Sequence, residues 1–172
     1  LEHVDRLLKS PAKQRGRDFG VMLGCFRNLG YSVEWRVINA ADYGFPQRRS
    51  RVFIFAFKNT TNYYRKLQDC TSFEDWLFNR GFFQPVFPVT GGHHTIFPKV
   101  PSIEIHKDIV NISDNFQNEF HNSGVMMDSQ VFSINTVPSK EPTVPLSKIL
   151  DDNVDDKYFI DENELEKWRY MK

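Results

Sequence analysis

The sequence predicts an α/β fold, and three stretches carry that prediction. Residues 14–29 repeat apolar side chains at helical steps, residues 31–38 alternate apolar with polar, and residues 52–57 are apolar throughout. In the first stretch Phe19, Met22, Cys25, Phe26 and Leu29 fall on one stripe of a helix. Gly30 follows and suits the left-handed turn that ends a helix. Cys25, on that stripe, reads as a small core residue rather than a reactive thiol. In the second stretch Val33, Trp35 and Val37 alternate with Ser32, Glu34 and Arg36, the period of a strand buried on one face. The third stretch has no polar face, so it predicts a strand covered on both sides.

Beyond Lys58 the pattern loosens. Ser72 to Phe78 predicts a short helix with Ser72 as its N-cap. Prolines at 85, 88, 98 and 101 surround Gly91-Gly92, so Gln84–Thr90 and Thr95–Pro101 predict irregular segments and short edge strands. Val125 to Asn135 predicts a strand, Pro145 to Leu150 a short helical turn, and Asp161 to Met171 a helix with Leu165, Trp168 and Met171 on one face. The chain divides into an ordered 1–58, a poorly regular, Phe-rich 59–145, and a closing 146–172.

Composition narrows the class of partner. With 172 residues, 40% hydrophobic and sixteen Phe, the chain has material for a real core and is not a disordered one. Its zero net charge hides an asymmetry. Residues 1–80 hold 14 Lys and Arg against 8 Asp and Glu, a balance of +6, whereas residues 81–172 hold 8 against 14, a balance of −6. A cationic half suits a polyanion, and two solvated faces of one domain would give the same count. Two cysteines without metal spacing, no apolar run of membrane length and no signal-peptide pattern predict a cytoplasmic protein with no membrane partner.

The sharpest local feature is Tyr43-Gly44-Phe45-Pro46 followed by Gln47, Arg48, Arg49 and Arg51 at the mouth of the apolar strand. A strand fixes where such side chains emerge, and a guanidinium fork can hold a phosphate or a base edge at set geometry. The run from Asn39 to Arg51 resembles the DNA (cytosine-5)-methyltransferases, in which Asn-Ala-x-Asp-Tyr-Gly-x-Pro-Gln-x-Arg-x-Arg leads into a core strand. Asn39, Ala40, Asp42, Tyr43, Gly44, Pro46, Gln47, Arg49 and Arg51 all fall on that pattern. Glu2-His3-Val4 stands where the family has Glu-Asn-Val, with His3 replacing the Asn.

The resemblance has definite implications. The fold would be the C-terminal part of an S-adenosylmethionine-dependent, Rossmann-like methyltransferase domain, followed by an irregular, partly β segment. Glu2 would be the catalytic residue that holds the cytosine ring, Gln47, Arg49 and Arg51 would contact the flipped nucleotide and its phosphates, and Arg48 would be a general phosphate contact. S-adenosylmethionine would be the cofactor and DNA the partner, in a setting such as restriction–modification. The family's Pro-Cys-Gln nucleophile matches neither Cys25 nor Cys70, and no Gly-x-Gly turn opens a helix. The chain is therefore expected to bind no cofactor itself, to be one piece of a longer or split enzyme, and to be inactive alone. Two other readings stay open, a non-catalytic DNA-binding or assembly subunit and an RNA cytosine methyltransferase.

Two further groupings are weaker. Asp151 to Glu162 places acidic residues at calcium-loop positions, but Asp156 replaces the required glycine, so no calcium is expected there. The run from Leu146 to Ile160 resembles instead the segment by which the same family enters its target-recognition region, which implies that its acidic residues are a solvated linker face. Adjacent His93 and His94 rarely face one ion, and no metal is expected there.

Overall fold

The computed structural model describes residues 1–91, 103–139, 142 and 144–170. His93, His94 and the Thr95–Pro101 segment lie outside them. The core is a six-stranded sheet in the order β1-β3-β2-β6-β7-β5. Its strands are β1 (Glu2–Val4), β2 (Tyr31–Asn39), β3 (Ser50–Lys58), β5 (Ile103–Glu104), β6 (Ser123–Met127) and β7 (Gln130–Ile134). Every neighbouring pair is antiparallel. A separate two-stranded ladder joins β4 (Val89–Gly91) to β8 (Thr136–Pro138). The helices are α1 (Arg17–Asn28), α2 (Asn62–Gln68), α3 (Phe73–Asp75), α4 (Ile109–Asn115) and α5 (Glu162–Tyr170). The result is a mixed α/β fold.

The two strands predicted at 31–38 and 52–57 are both present and pair with each other, with Trp35 opposite Ile54 and Val37 opposite Val52. Helix α1 covers that face of the sheet. Phe19 meets Trp35 edge-on at 5.1 Å and Phe120 edge-on at 5.0 Å, and all three are essentially inaccessible. Such contacts add about 0.5–1.5 kcal/mol per pair to the area they bury.

The stripe on α1 differs from the expected one. Phe19, Gly20, Leu23 and Gly24 are buried, Met22 and Phe26 are half-buried, and both Cys25 and Leu29 are exposed. The cause is the close approach of α4. Cβ atoms at Gly20 and Gly24 would lie 2.9 Å from the Phe116 ring and 2.6 Å from Ile112. The helix turns its glycines, not its cysteine, toward the core. Gly30 ends α1 with φ 75°.

A second correction concerns β2. Its polar residues Ser32, Glu34 and Arg36 are fully buried, so both faces of the strand are covered. The cover is the segment that follows α2: α3, a turn of π-helix at Trp76–Arg80, and the loop to Val89. Trp76, Leu77, Phe57, Val125 and Ile134 form the core of this side. Ser72 caps α3 as expected, accepting from the Asp75 N–H at 3.1 Å.

The third correction is at Val125–Asn135, which holds two strands rather than one. β6 and β7 join through Asp128-Ser129, with Met127 opposite Gln130 and Asp128 at φ 56°. A two-residue hairpin demands a positive φ, which aspartate tolerates better than most residues. At the other end of the chain α5 ends at Tyr170 within the described residues, and no residue of 144–170 is buried. Among the described residues no helix is long and apolar enough to cross a membrane.

Candidate functional site

Period two decides which side chains meet at the mouth of β3. Arg51 lies opposite Ile38 on β2, Phe53 lies opposite Arg36, and across the other ladder Phe53 lies opposite Glu2. Directly opposed residues share a face. Glu2, Ile38, Arg51 and Phe53 therefore project from one side, and Arg49, two residues before Arg51, joins them. With Ala40, Tyr43, Phe45 and Phe87 they line a cleft of about 280 Å³.

Glu2 sits between the two arginines. Its Oε1 is 3.5 Å from Arg49 Nη2 and 3.5 Å from Arg51 Nε. The Glu2 and Arg49 side chains are about half exposed, and Arg51 is more enclosed. Ion pairs this long and this wet are worth about 0–1 kcal/mol. The forks are thus free to exchange the carboxylate for an anionic or carbonyl ligand. Gln47 and Arg48 are exposed and do not line the cleft. Three of the five expected site residues are thus brought together and two stand outside.

Asn39 shapes the arginine turn. Its side-chain oxygen accepts from the N–H of Ala41 at 3.4 Å and of Arg49 at 3.1 Å, while its amide donates to Asp42 at 3.3 Å. Ala40 N–H also donates to the Arg49 carbonyl at 3.3 Å, closing the base of the turn, and Gly44 ends the 3-10 segment Ala40–Tyr43 with φ 85°. Tyr43 donates its hydroxyl to the Pro88 carbonyl at 3.4 Å and packs edge-on against Phe87 at 5.1 Å. Burial, with Asp42 adding to it and Arg36 opposing it, pushes the Tyr43 hydroxyl up, so it remains a donor.

Reasoning from sequence missed Tyr43 as a wall of the cleft and missed Phe87 altogether. Tyr43 falls on the turn and on the family pattern, neither of which marks a cleft wall, and Phe87 lies in the irregular Gln84–Thr90 segment with no periodicity to mark its direction.

The profile of C-5 cytosine-specific DNA methylases matches residues 1–172. The chain belongs to that family. It is 45% identical over its whole length to the type II methyltransferase M.Sau3AI of Staphylococcus aureus, of which it covers 41%. It is also 38% identical over 64 residues to M.NgoBI of Neisseria gonorrhoeae, and 41% identical over 58 residues to M.NlaIV of Neisseria lactamica. These two matches take in 37% and 31% of the chain, and 19% and 14% of the respective relatives. The chain thus spans less than half the length of these curated relatives. No solved structure matches it.

A methylase needs a methyl donor, and a nucleoside cofactor is usually cradled where a glycine opens a helix. The glycine that opens α1, Gly16, is packed shut: a Cβ there would lie 2.1 Å from the Asn118 carbonyl oxygen and 3.1 Å from the Phe120 ring. That glycine serves packing. Among the described residues there is no cluster of potential metal ligands.

Proposed function

We propose that this chain supplies the nucleotide-holding part of an enzyme that methylates C5 of a cytosine flipped out of duplex DNA, with S-adenosylmethionine as donor. A base that is to react must leave the stack, because its ring carbons cannot be reached inside the duplex. What supports the reading is one juxtaposition: Glu2, Arg49 and Arg51 meet in one small cleft in a chain matched along its length by the methylase family. At about 280 Å³ the cleft lies near the lower end of small-ligand pockets, about 300–1,000 Å³, a size suited to a single base.

The roles follow from chemistry. Glu2 accepts from the exocyclic amino group of cytosine and shares a proton with the neighbouring ring nitrogen, favouring attack on the ring. Arg49 and Arg51 leave Glu2 for the base carbonyl and the adjacent phosphate. Gln47 and Arg48, outside the cleft, contact the flanking backbone. The cofactor supplies the methyl group when bound, and no residue described here holds it. Sheet edge β1, helix α1 and strands β3 and β2 are the closing part of a Rossmann-like domain in this reading, and residues 146–172 lead into target recognition. The chain then works as part of a longer or split enzyme and is inactive alone.

The test is steady-state methylation by the complete enzyme of a duplex with one target site, at two salt concentrations. Arg49→Ala and Arg51→Ala should each depress turnover at saturating DNA, by about 1–3 kcal/mol or more. Arg48→Ala should instead raise the DNA concentration required and lower the salt slope by about one. The reverse pattern would overturn the assignment. Methyl transfer to RNA in place of DNA would move the substrate class.

A further inference from the structure

The arginine motif ends in β3, yet one wall of the cleft comes from residue 87. That wall is tied to two buried charges on β2. Arg36, with no accessible surface, donates from Nη1 to the Phe87 carbonyl at 2.6 Å and to Gln84 Oε1 at 3.1 Å. Its Nη2 donates to the Leu77 carbonyl at 2.8 Å. Glu34 on the same face accepts from Trp76 Nε1 at 2.9 Å, from Phe82 N–H at 2.8 Å and from Phe83 N–H at 3.3 Å. Gln84 extends the network, exchanging hydrogen bonds with both the N–H and the carbonyl of Val89. A buried guanidinium is costly to desolvate, and Arg36 keeps one nitrogen, Nε, without a partner. Hydrophobic burial alone would have been served better by Leu or Met.

We propose that Phe87 is a base-contacting residue of the cleft and that Arg36 is the positioning residue that holds it there. This rests on the nucleotide-holding role proposed above. A base taken from the duplex loses its stacking partners and needs a flat apolar surface in return. Phe87 and Tyr43, at right angles to each other, offer one beside Glu2, Arg49 and Arg51. Three anchors converge on the short backbone that carries it: Arg36 on Phe87, Tyr43 on Pro88, and Gln84 on Val89. Phe87 itself is only half-buried, so it can be changed without opening the core.

The experiment uses the complete enzyme, a duplex carrying a fluorescent base analogue at the target position, and a double-mutant cycle. Phe87→Leu should lower the extrahelical signal and the turnover at saturating DNA by about tenfold, the order expected for a lost base–aromatic contact. Duplex affinity should change little, and Phe87→Tyr should restore both signals. Arg36→Met should reproduce the defect, and Arg36→Met with Phe87→Leu should be no worse than Phe87→Leu alone, because one residue acts through the other. Should Arg36→Met fail to fold, Gln84→Ala takes its place in the cycle. Wild-type flipping by Phe87→Leu, or additive defects in the double variant, would overturn the proposal. Arg49→Ala run alongside separates the failures. If it is impaired while Phe87→Leu is not, only this inference falls. If neither is impaired, the nucleotide-holding role falls with it.

Discussion

Glu34 shows what a single buried carboxylate does to this protein. Burial pushes its pKa above the ordinary 4.5, partly offset by the N–H donors of Phe82, Phe83 and Trp76 and by Arg36. The native state therefore holds the proton more tightly than the unfolded chain. Its contribution to stability is full below 4.5 and declines as pH rises through the folded value. Asp18 runs the other way: the Ser10 hydroxyl and then Arg17 outweigh burial and lower it from 3.8, so its contribution is present above 3.8 and is lost as pH falls through the folded value. Glu34→Gln should remove the decline above 4.5, so that the stability of wild type relative to the variant falls as pH rises. Urea midpoints measured in half-unit pH steps check this, and a slope unchanged by the substitution would contradict it. At the same scale Asn39→Ala frees the N–H of Ala41 and of Arg49. It should cost about 0.5–2 kcal/mol, like the loss of an N-cap, and should lower turnover by loosening Arg49.

At the scale of elements, what the sequence shows and what it hides have physical causes. Strands β2 and β3 were legible because their periodicity is local. The burial of Glu34 and Arg36 was not, since their partners lie some forty to fifty residues downstream. The hairpin β6–β7 was hidden because Asp128-Ser129 lacks the Asn-Gly or Asp-Gly that usually marks such a turn. Helix α1 is legible in the sequence but its buried face is not, since Gly20 and Gly24 carry no hydrophobic signal. In the cleft, Glu2, Arg49 and Arg51 were readable through the family pattern, and Phe87 was not. Strand β6 yields a prediction of its own. A Cβ on Gly124 would lie 2.1 Å from the Trp35 indole, which also packs edge-on against Phe19 and Phe120. Gly124→Ala should therefore destabilise by about 1–3 kcal/mol or more, read as a lower denaturation midpoint with a changed near-ultraviolet tryptophan signal.

For the whole molecule, stability and apolar exposure separate along the chain. All the buried side chains described lie at or before Thr136, whereas Leu146, Ile149, Leu150, Tyr158, Phe159 and Trp168 are all more than half exposed. Ending the chain at residue 143 should leave the melting transition of the core within about 0.5 kcal/mol of its original stability, as for changes away from buried features. A larger loss would mean that the closing segment packs on the sheet. Calorimetry of the 172-residue chain with S-adenosylmethionine should show no binding, and a tight one-to-one complex would contradict the proposed division of labour.

The ladder around the arginine turn also bears on how this protein can change over generations. Asn39 faces Ser50 across the strands, and the Ala40 N–H closes on the Arg49 carbonyl. The number of residues between is thereby fixed. One residue gained or lost there would turn Arg49 out of phase with Arg51, and with Glu2 on the next strand. Substitutions within the turn leave that phase alone. A lineage can thus respell residues 41–48 other than Tyr43 and Gly44 but cannot change their number, and a mutant library should return point changes there and no viable insertions or deletions.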